Sequence, residues 1–437
     1  MPIADLYDRT RMAARRERFL QSRLRRLLVF AALFFVLGGA LYARTIQVCQ
    51  TCDIRSIQKA VDKAQNGDQV FVAEGRYPEQ ITIAKSIRLT GKNYPHIDGK
   101  SVGNTVSIRA KRVIVENFLI TSSGVSDRYE YAGVHVSDSG DCQILRNRIL
   151  DNTYGVYIAN VRNCHIGGNT ITGNTINEVL GGNGVHMWKT EGVHVSGNTI
   201  SHHRDGIYIE FSKKMKIEDN HASHNLRYGM HFMYADRGEF RRNTFTRNET
   251  GVAIMYSKSI VVEQNVFEYS WGLSAYGLLL KDIADSDFRR NRFFNNTVAV
   301  FADNSNRNRF AENELEKNGF ALQVFGNCEE NKFIRNTFRA NFFDVGYNAK
   351  ETSNDFSGNY WDQYAGYDLN RDGFGDIPFK PVRVFSYWLT KYNPLAVLLL
   401  SPALEFLETA ERAFPVITPV NLVDSKPLMR PITGRKN

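Results

Sequence analysis

Histidine and methionine are unevenly spread along this sequence. Nine of its ten His lie between His135 and His231, and five of its eight Met lie between Met187 and Met255. Imidazole and thioether together make a soft-to-borderline donor set that suits Cu(I), whereas carboxylate-poor sites disfavour Ca and Mg. When the segments are aligned on a recurring Gly, the residues two places later form one column: His135, Tyr157, His186, Tyr208, His231, Ala253 and Leu279. Glu210, Met233 and Met255 lie two places further on. These positions alternate with apolar ones and so point outward. His231, Met233 and Met255 are therefore expected to share one exposed face, near Tyr208 and Tyr234, with His186 in the same column. His202 and His224 occupy a corner column one repeat apart, with His203 and His221 adjoining. The plain alternative is that surface His and Tyr only stack on one another, while Met187 and Met230 fill the core.

Other residues carry separable chemistry. Cys49 and Cys52 form a C-x-x-C, readable as a local disulfide or a metal-capturing pair. Cys142 and Cys164 each lie five residues before a recurring Asn, so they should point inward from neighbouring repeats. They are expected as buried thiols, at a spacing that would also accommodate a disulfide. Asp368, Asn370, Asp372 and Asp376, with Gly373 between them, place oxygen donors as in the first part of an EF-hand-like calcium loop. Position 12 is Phe379 instead of Glu, and the competing reading is an Asx-rich turn held by its own hydrogen bonds. No nucleophile–base pair, P-loop or dinucleotide-binding glycine pattern is present. The outward columns hold no paired carboxylates of the kind a polysaccharide hydrolase or lyase needs.

The elements that position these residues follow from a repeat. Asn-x-(Ile/Phe/Leu) recurs at Asn147, 169, 198, 220, 243, 265, 291, 313, 336 and 359, with a looser copy at Asn117. The successive spacings are 22, 29, 22, 23, 22, 26, 22, 23 and 23. Five residues on, a second Asn recurs (Asn152, Asn174, Asn225, Asn248, Asn296, Asn318, Asn341), with His203 and Ser270 as exceptions. Period-2 alternation over three to five residues, punctuated by Asn and Gly, predicts short strands joined by tight turns. The Leu-x-x-Leu-x-Leu signature of leucine-rich repeats is missing. The fold class that remains is all-β, a right-handed parallel β-helix with one coil per repeat. Asn tolerates the left-handed backbone of the corners, and identical Asn side chains should stack one coil apart. The spacings of 29 and 26, with the first gap of 30 from Asn117 to Asn147, mark insertions at Ile120–Ala132, Thr172–Asn183 and Glu268–Tyr276, all at one corner and so on one side.

The ends differ from the repeat. Residues 1–43 combine eight Arg with Asp5, Asp8 and Glu17, and Leu27–Leu41 is an uncharged apolar run. This is the grammar of an export signal, cleaved after Ala40 or Ala43, or of an uncleaved N-terminal anchor. The segment holds five of the nine excess positive charges of the 437-residue chain. The basic balance therefore reports export and argues against a nucleic-acid partner. Residues 44–361 should form the β-helix, with Ser56–Ala64 as an amphipathic helix capping its open end and Gly67–Val72 as the first strand. In 362–437 the Asp-rich loop leads to an apolar helical stretch, Leu395–Phe414. That stretch is readable as a C-terminal cap or as an amphipathic helix docking on a partner or membrane.

Several longer motifs resemble one family. Arg227-Tyr-Gly-Met-His231-Phe-Met233-Tyr234 and Gly251-Val-Ala-Ile-Met255-Tyr256-Ser257 look like the central signature of the NosD family. Ala275–Asp282, Asn359–Pro378 and Glu411–Pro419 resemble its later signatures. The resemblance implies a periplasmic β-helix protein, not an enzyme, that serves maturation of nitrous-oxide reductase. It implies work with an ABC transporter, NosF as ATPase and NosY as membrane subunit, and hence association with the inner membrane through partners. It also implies receipt of copper from the lipoprotein NosL, bound transiently, for the reductase's copper centres. The Arg-rich N-terminus and the Cys49/Cys52 pair are not general features of the family. Competing readings are a lyase or epimerase of acidic polysaccharide and a docking platform that never touches metal.

Overall fold

The computed structural model describes residues 43–126, 128–175, 177–399, 401–413 and 422–432, so nearly all of the expected export segment lies outside the described residues. From Thr45 onward the chain winds as a right-handed parallel β-helix with three strands in each coil. Its first and second sheets have 13 strands and its third has 12, and each strand pairs in parallel with those one coil before and after. The interior is stacked in columns. On the second sheet Ile149, Ile171, Ile200, Ala222, Phe245, Phe267 and Phe293 succeed one another in register. Toward the C-terminus the aliphatic core gives way to phenylalanine: Phe267 lies 4.7 Å from Phe293, and Phe288 lies 4.6 Å from Phe310, with rings nearly parallel. Burying each such side chain stabilises the fold by about 1.5–3 kcal/mol.

The Asn repeat forms the expected ladder by a different division of labour. The left-handed backbone belongs to the residue before each Asn: Arg146, Asp219, Arg242, Gln264, Arg290, Glu312 and Arg335 have φ between 52° and 58°. That residue turns the corner with its side chain in solvent, so the following Asn points inward. Asn147 donates its backbone N–H (2.9 Å) and its Nδ2 (3.2 Å) to Asn169 Oδ1, and Nδ2 also donates to the Val115 carbonyl (3.0 Å). The pattern repeats coil by coil as far as Asn359. Buried polar groups at the corners are thereby satisfied within the protein.

Two register details differ from the sequence reading. Asn117 is itself the left-handed residue (φ 62°), and it is the Phe118 N–H that donates to Asn147 Oδ1. In the second ladder Asn174 is exposed, because the buried His203 ring fills the space beside Gly173. A third ladder, Asn308–Asn331–Asn354, runs along the corner after the third sheet. Ser286 precedes Asn308 in that column, and Met215, Gly238 and Ile260 occupy it in earlier coils, which is why no Asn period marks it.

Both ends are closed. Helix Ile57–Lys63 is capped by Ser56, whose side chain accepts from the Lys59 N–H, and it buries Ile57, Ala60 and Val61. A strand not expected from the sequence, Thr45–Val48, precedes it and pairs with Gln69–Val72. At the other end the main Asn ladder finishes on Asp424, which is fully buried. Its carboxylate accepts from the Gly358 N–H (3.0 Å), the Asn359 N–H (2.9 Å) and Trp361 Nε1–H (2.9 Å).

The apolar stretch Leu395–Phe414 is not one helix. A 3-10 turn spans Asn393–Leu398, and an α-helix spans Pro402–Ala413, as expected where Pro394 and Pro402 each favour a helix start. A helix before them, Val384–Lys391, places Phe385 and Leu389 with Leu404 against Val298, Phe320 and Phe343. These last three are outward residues of the third sheet, so the C-terminal helices cover that face at its final coils. Among the described residues no helix is long and apolar enough to cross a membrane.

Cys142 and Cys164 are joined as a disulfide, where free buried thiols were expected. Stacking in neighbouring coils sets their Cα atoms 4.5 Å apart, within the range a disulfide spans. Cys328 is the one free cysteine, and burial pushes its thiol up to about 11.

Candidate functional site

The third sheet carries the outward column that the Gly alignment indicates. His135, Tyr157, His186, Tyr208, His231 and Ala253 pair in register on successive strands. His and Tyr alternate, and their rings form a continuous stack. His135 lies 5.1 Å from Tyr157, Tyr157 lies 4.6 Å from His186, and His186 lies 4.7 Å from Tyr208, all with rings within 24° of parallel. The stack ends where Tyr208 meets His231 edge-on at 5.0 Å. Beside it runs a second column, Trp188–Glu210–Met233–Met255–Lys281, which puts the two methionines on adjacent strands. Adjacent strands lie about 4.8 Å apart, so two thioethers can reach one soft ion there.

His231 is not on an exposed face as expected. Its side chain is only 9% exposed, because the Tyr208 and Tyr228 rings close over it. Met233 and Met255 are half-buried. Neither ring nitrogen of His231 has a hydrogen-bond partner among the described residues. The nearest charge is Asp205 Oδ2, 3.8 Å from Nδ1. Asp205 is fully buried and is gripped by Arg227 through Nε (2.9 Å) and a terminal nitrogen (2.6 Å). Burial alone would raise this carboxyl, but His231 and Arg227 outweigh it and hold it below the ordinary carboxylate range. Sequence reading missed Asp205 and Arg227. The available signal was an Asp directly before the recurring Gly, at a position held by Tyr154 and Tyr228 in other coils.

His186 lies two coils from His231 with Tyr208 between them, so the two imidazoles cannot hold one ion. Its Nδ1 lies 2.9 Å from the Asn183 side-chain amide. Burial, reinforced by Arg204, pushes its pKa down to about 3, so the ring is a neutral donor. His202 and His224 stack as expected, 5.7 Å apart and nearly parallel, but they do so in solvent at the corner between the second and third sheets. The structure thus divides the candidate copper ligands between two places: His186, His231, Met233 and Met255 on the third sheet, and His202 with His224 at the corner. Among the described residues no three His, Cys, Asp or Glu side chains converge on a metal-sized position. The methionines, not a carboxylate or cysteine cage, distinguish this face.

One feature was also unforeseen. Phe211, Tyr234 and Tyr256 occupy left-handed corners directly after Glu210, Met233 and Met255, with φ of 51°, 48° and 52°. Their exposed rings stack at 5.5 Å and 4.8 Å along the edge of the methionine column. The three insertions meet the third sheet from its other edge. They carry exposed apolar residues at their tips, among them Val179, Trp271 and Leu273.

The remaining candidates are structural in geometry. Asp368 accepts from the Asp372 and Gly373 N–H groups, Asn370 from the Asp372 N–H, Asp372 from the Phe374 N–H, and Asp376 from the Leu369 N–H. This is the Asx-turn reading of the loop, and no observation supports calcium. Phe379, at the position a calcium loop gives to Glu, packs on Trp361 and Tyr364. Cys49 and Cys52 are joined to each other as a local disulfide, a state in which neither sulfur is a thiolate ligand.

Comparison with known proteins finds relatives of this chain along most of its length. The sequence model of a family described as periplasmic copper-binding protein (NosD) matches residues 61–181 and 175–366. A protein of Stutzerimonas stutzeri named "Probable ABC transporter binding protein NosD" is 31% identical over 376 residues, covering 82% of this chain and 85% of its own. A protein of the same name from Pseudomonas aeruginosa is 29% identical over 387 residues, covering 84% and 90%. Among solved structures, the catalytic unit of an alpha-1,3-glucanase from Streptomyces thermodiastaticus superposes with a TM-score of 0.56 at 12% identity, over 74% of this chain and 70% of that one. That likeness concerns the fold alone.

Proposed function

The chain belongs to the NosD family of periplasmic copper-binding proteins, and on that premise we propose that it binds Cu(I) transiently at the His231–Met233–Met255 face. The observation that carries this reading is the register of Met233 with Met255 on adjacent strands, two residues from His231 on the same outward side. Two thioethers and an imidazole favour Cu(I) over harder ions and bind it without the closed cage of a resident cofactor. Such a site suits cargo that must be released.

In this reading the protein is a binding and maturation factor, not an enzyme. Copper arrives from the lipoprotein NosL and leaves toward the copper centres of nitrous-oxide reductase. The partner ABC transporter, with NosY in the inner membrane and NosF as its ATPase, supplies the energy from the other side of the membrane. The names of the two bacterial relatives support the transporter part of this proposal. Among the described residues no outward column pairs carboxylates on adjacent strands as a polysaccharide-cleaving groove would, and a basic excess placed largely in residues 1–43 gives no reason to invoke nucleic acid.

The test is a Cu(I) titration of the full chain against a competing chelator, with His231→Ala, Met233→Ala and Met255→Ala singly and together. The triple variant should lose at least tenfold in affinity and fail to support maturation of the reductase. A triple variant that folds normally, binds copper undiminished and still matures the reductase would end the proposal.

A further inference from the structure

We infer that Asp205 is a positioning residue for His231: clamped by Arg227, its carboxylate holds the imidazole with the proton on Nδ1 and leaves Nε2 as the atom presented to Cu(I). The inference rests on the copper reading of His231 given above and concerns what lies behind that ring. Asp205 has no solvent exposure, and a buried carboxylate persists only when something pairs with it. Arg227 does so in two-pronged fashion, from the next coil, through Nε and a terminal nitrogen. The guanidinium also lies over the Tyr228 ring, 4.9 Å from its centre, which fixes it from the other side. The carboxylate is thus held rigidly at a depth where no water is needed to satisfy it.

His231 is the imidazole set beside it at ion-pair distance. Nδ1 lies 3.8 Å from Asp205 Oδ2, so a small rotation of the ring brings an Nδ1–H into hydrogen-bond range. Without that rotation both ring nitrogens are buried and unpartnered among the described residues, and each keeps its full desolvation penalty. One arrangement relieves both costs. Nδ1–H donates to Asp205, and the Nε2 lone pair takes an electron-pair acceptor on the side away from it. A carboxylate behind a metal-binding imidazole fixes the tautomer and raises the basicity of the coordinating nitrogen. The edge contact with Tyr208 and the tilted Tyr228 ring confine the imidazole to this plane.

The first test needs no variant of Asp205. With 15N-labelled imidazoles in the full chain, and the His231 signals assigned by their loss in His231→Gln, the ring should be the Nδ1–H tautomer. An Nε2–H ring would overturn the inference. Asp205→Asn should then mix the tautomers and lower Cu(I) affinity ten- to hundredfold, while in a His231→Ala background the same change should have no further effect. Equal losses in both backgrounds would show that Asp205 acts on the fold and not through His231. An Nδ1–H ring with no loss of copper affinity in His231→Ala would instead refute the copper reading of this residue and leave its positioning by Asp205 standing.

Discussion

Replacing Asp424 by Ala should unfasten the C-terminal end of the solenoid without disturbing its middle. The carboxylate is fully buried and, besides the Lys426 N–H of its own turn (3.0 Å), receives three well-formed hydrogen bonds from the coil it closes, from Gly358 N–H, Asn359 N–H and Trp361 Nε1–H. Alanine leaves these three coil donors without an acceptor in a space too confined for easy hydration. At about 1–2 kcal/mol for each orphaned donor the loss is about 3–6 kcal/mol. Asparagine keeps one oxygen. Placed at the Oδ2 position it retains the Asn359 and Trp361 donors and forfeits that of Gly358, so Asp424→Asn should lose about 1–2 kcal/mol. Because each coil touches only its neighbours, the damage should be local. Urea unfolding followed by Trp361 fluorescence and by hydrogen exchange measures both points. Amides of Asn336, Asn359 and Trp361 should exchange faster in the order wild type, Asn, Ala, while those of Asn169 and Asn198 stay unchanged. An Ala variant with an unfolding midpoint and exchange pattern equal to the wild type would refute the argument that the ladder requires a terminal acceptor.

Two further outcomes follow from buried groups. Burial pushes His203 down to about 4 from an ordinary value of 6.5. Between those values the unfolded chain binds the extra proton, so the contribution is present above about pH 6.5 and lost as pH falls toward 4, by about 3 kcal/mol in total. His203→Asn, which restores the ladder residue, should flatten the urea midpoint between pH 7 and 5; an unchanged pH dependence would disprove the assignment. The Cys142–Cys164 bond closes a span of 22 residues and should contribute about 3 kcal/mol. Peptide mapping of unreduced protein should recover the linked pair, and only Cys328 should take up iodoacetamide after unfolding.

The coil period, the sheet column His135–His231 and the pairing of Met233 with Met255 were legible because a solenoid converts sequence spacing into spatial register. Once Gly and Asn set the period, neighbours in space are neighbours in alignment. What the period could not supply was anything that departs from it. Asp424 reaches the ladder from 65 residues away, and the strand at Thr45 precedes the first repeat. The burial of His231 depends on how two Tyr rings tilt, and Asp205 acts through a contact of side chains that alternation does not encode. The disulfide at Cys142 was within reach of the register argument, since stacking in adjacent coils already sets the Cα separation.

The ladder has a direction, and this bears on how an exported chain acquires its shape. In every rung a backbone N–H of the earlier coil donates to the side-chain oxygen of the later Asn, from Phe118 to Asn147 and onward to Asn359. A coil that emerges first from a membrane pore therefore arrives with its donors open, and only the coil behind it can close them. Each turn is a template waiting for its successor, and a chain stopped at any rung ends on unfilled donors. Asp424 supplies the acceptor that no successor coil provides, so the solenoid is complete only when a segment 65 residues beyond the last ladder Asn has crossed.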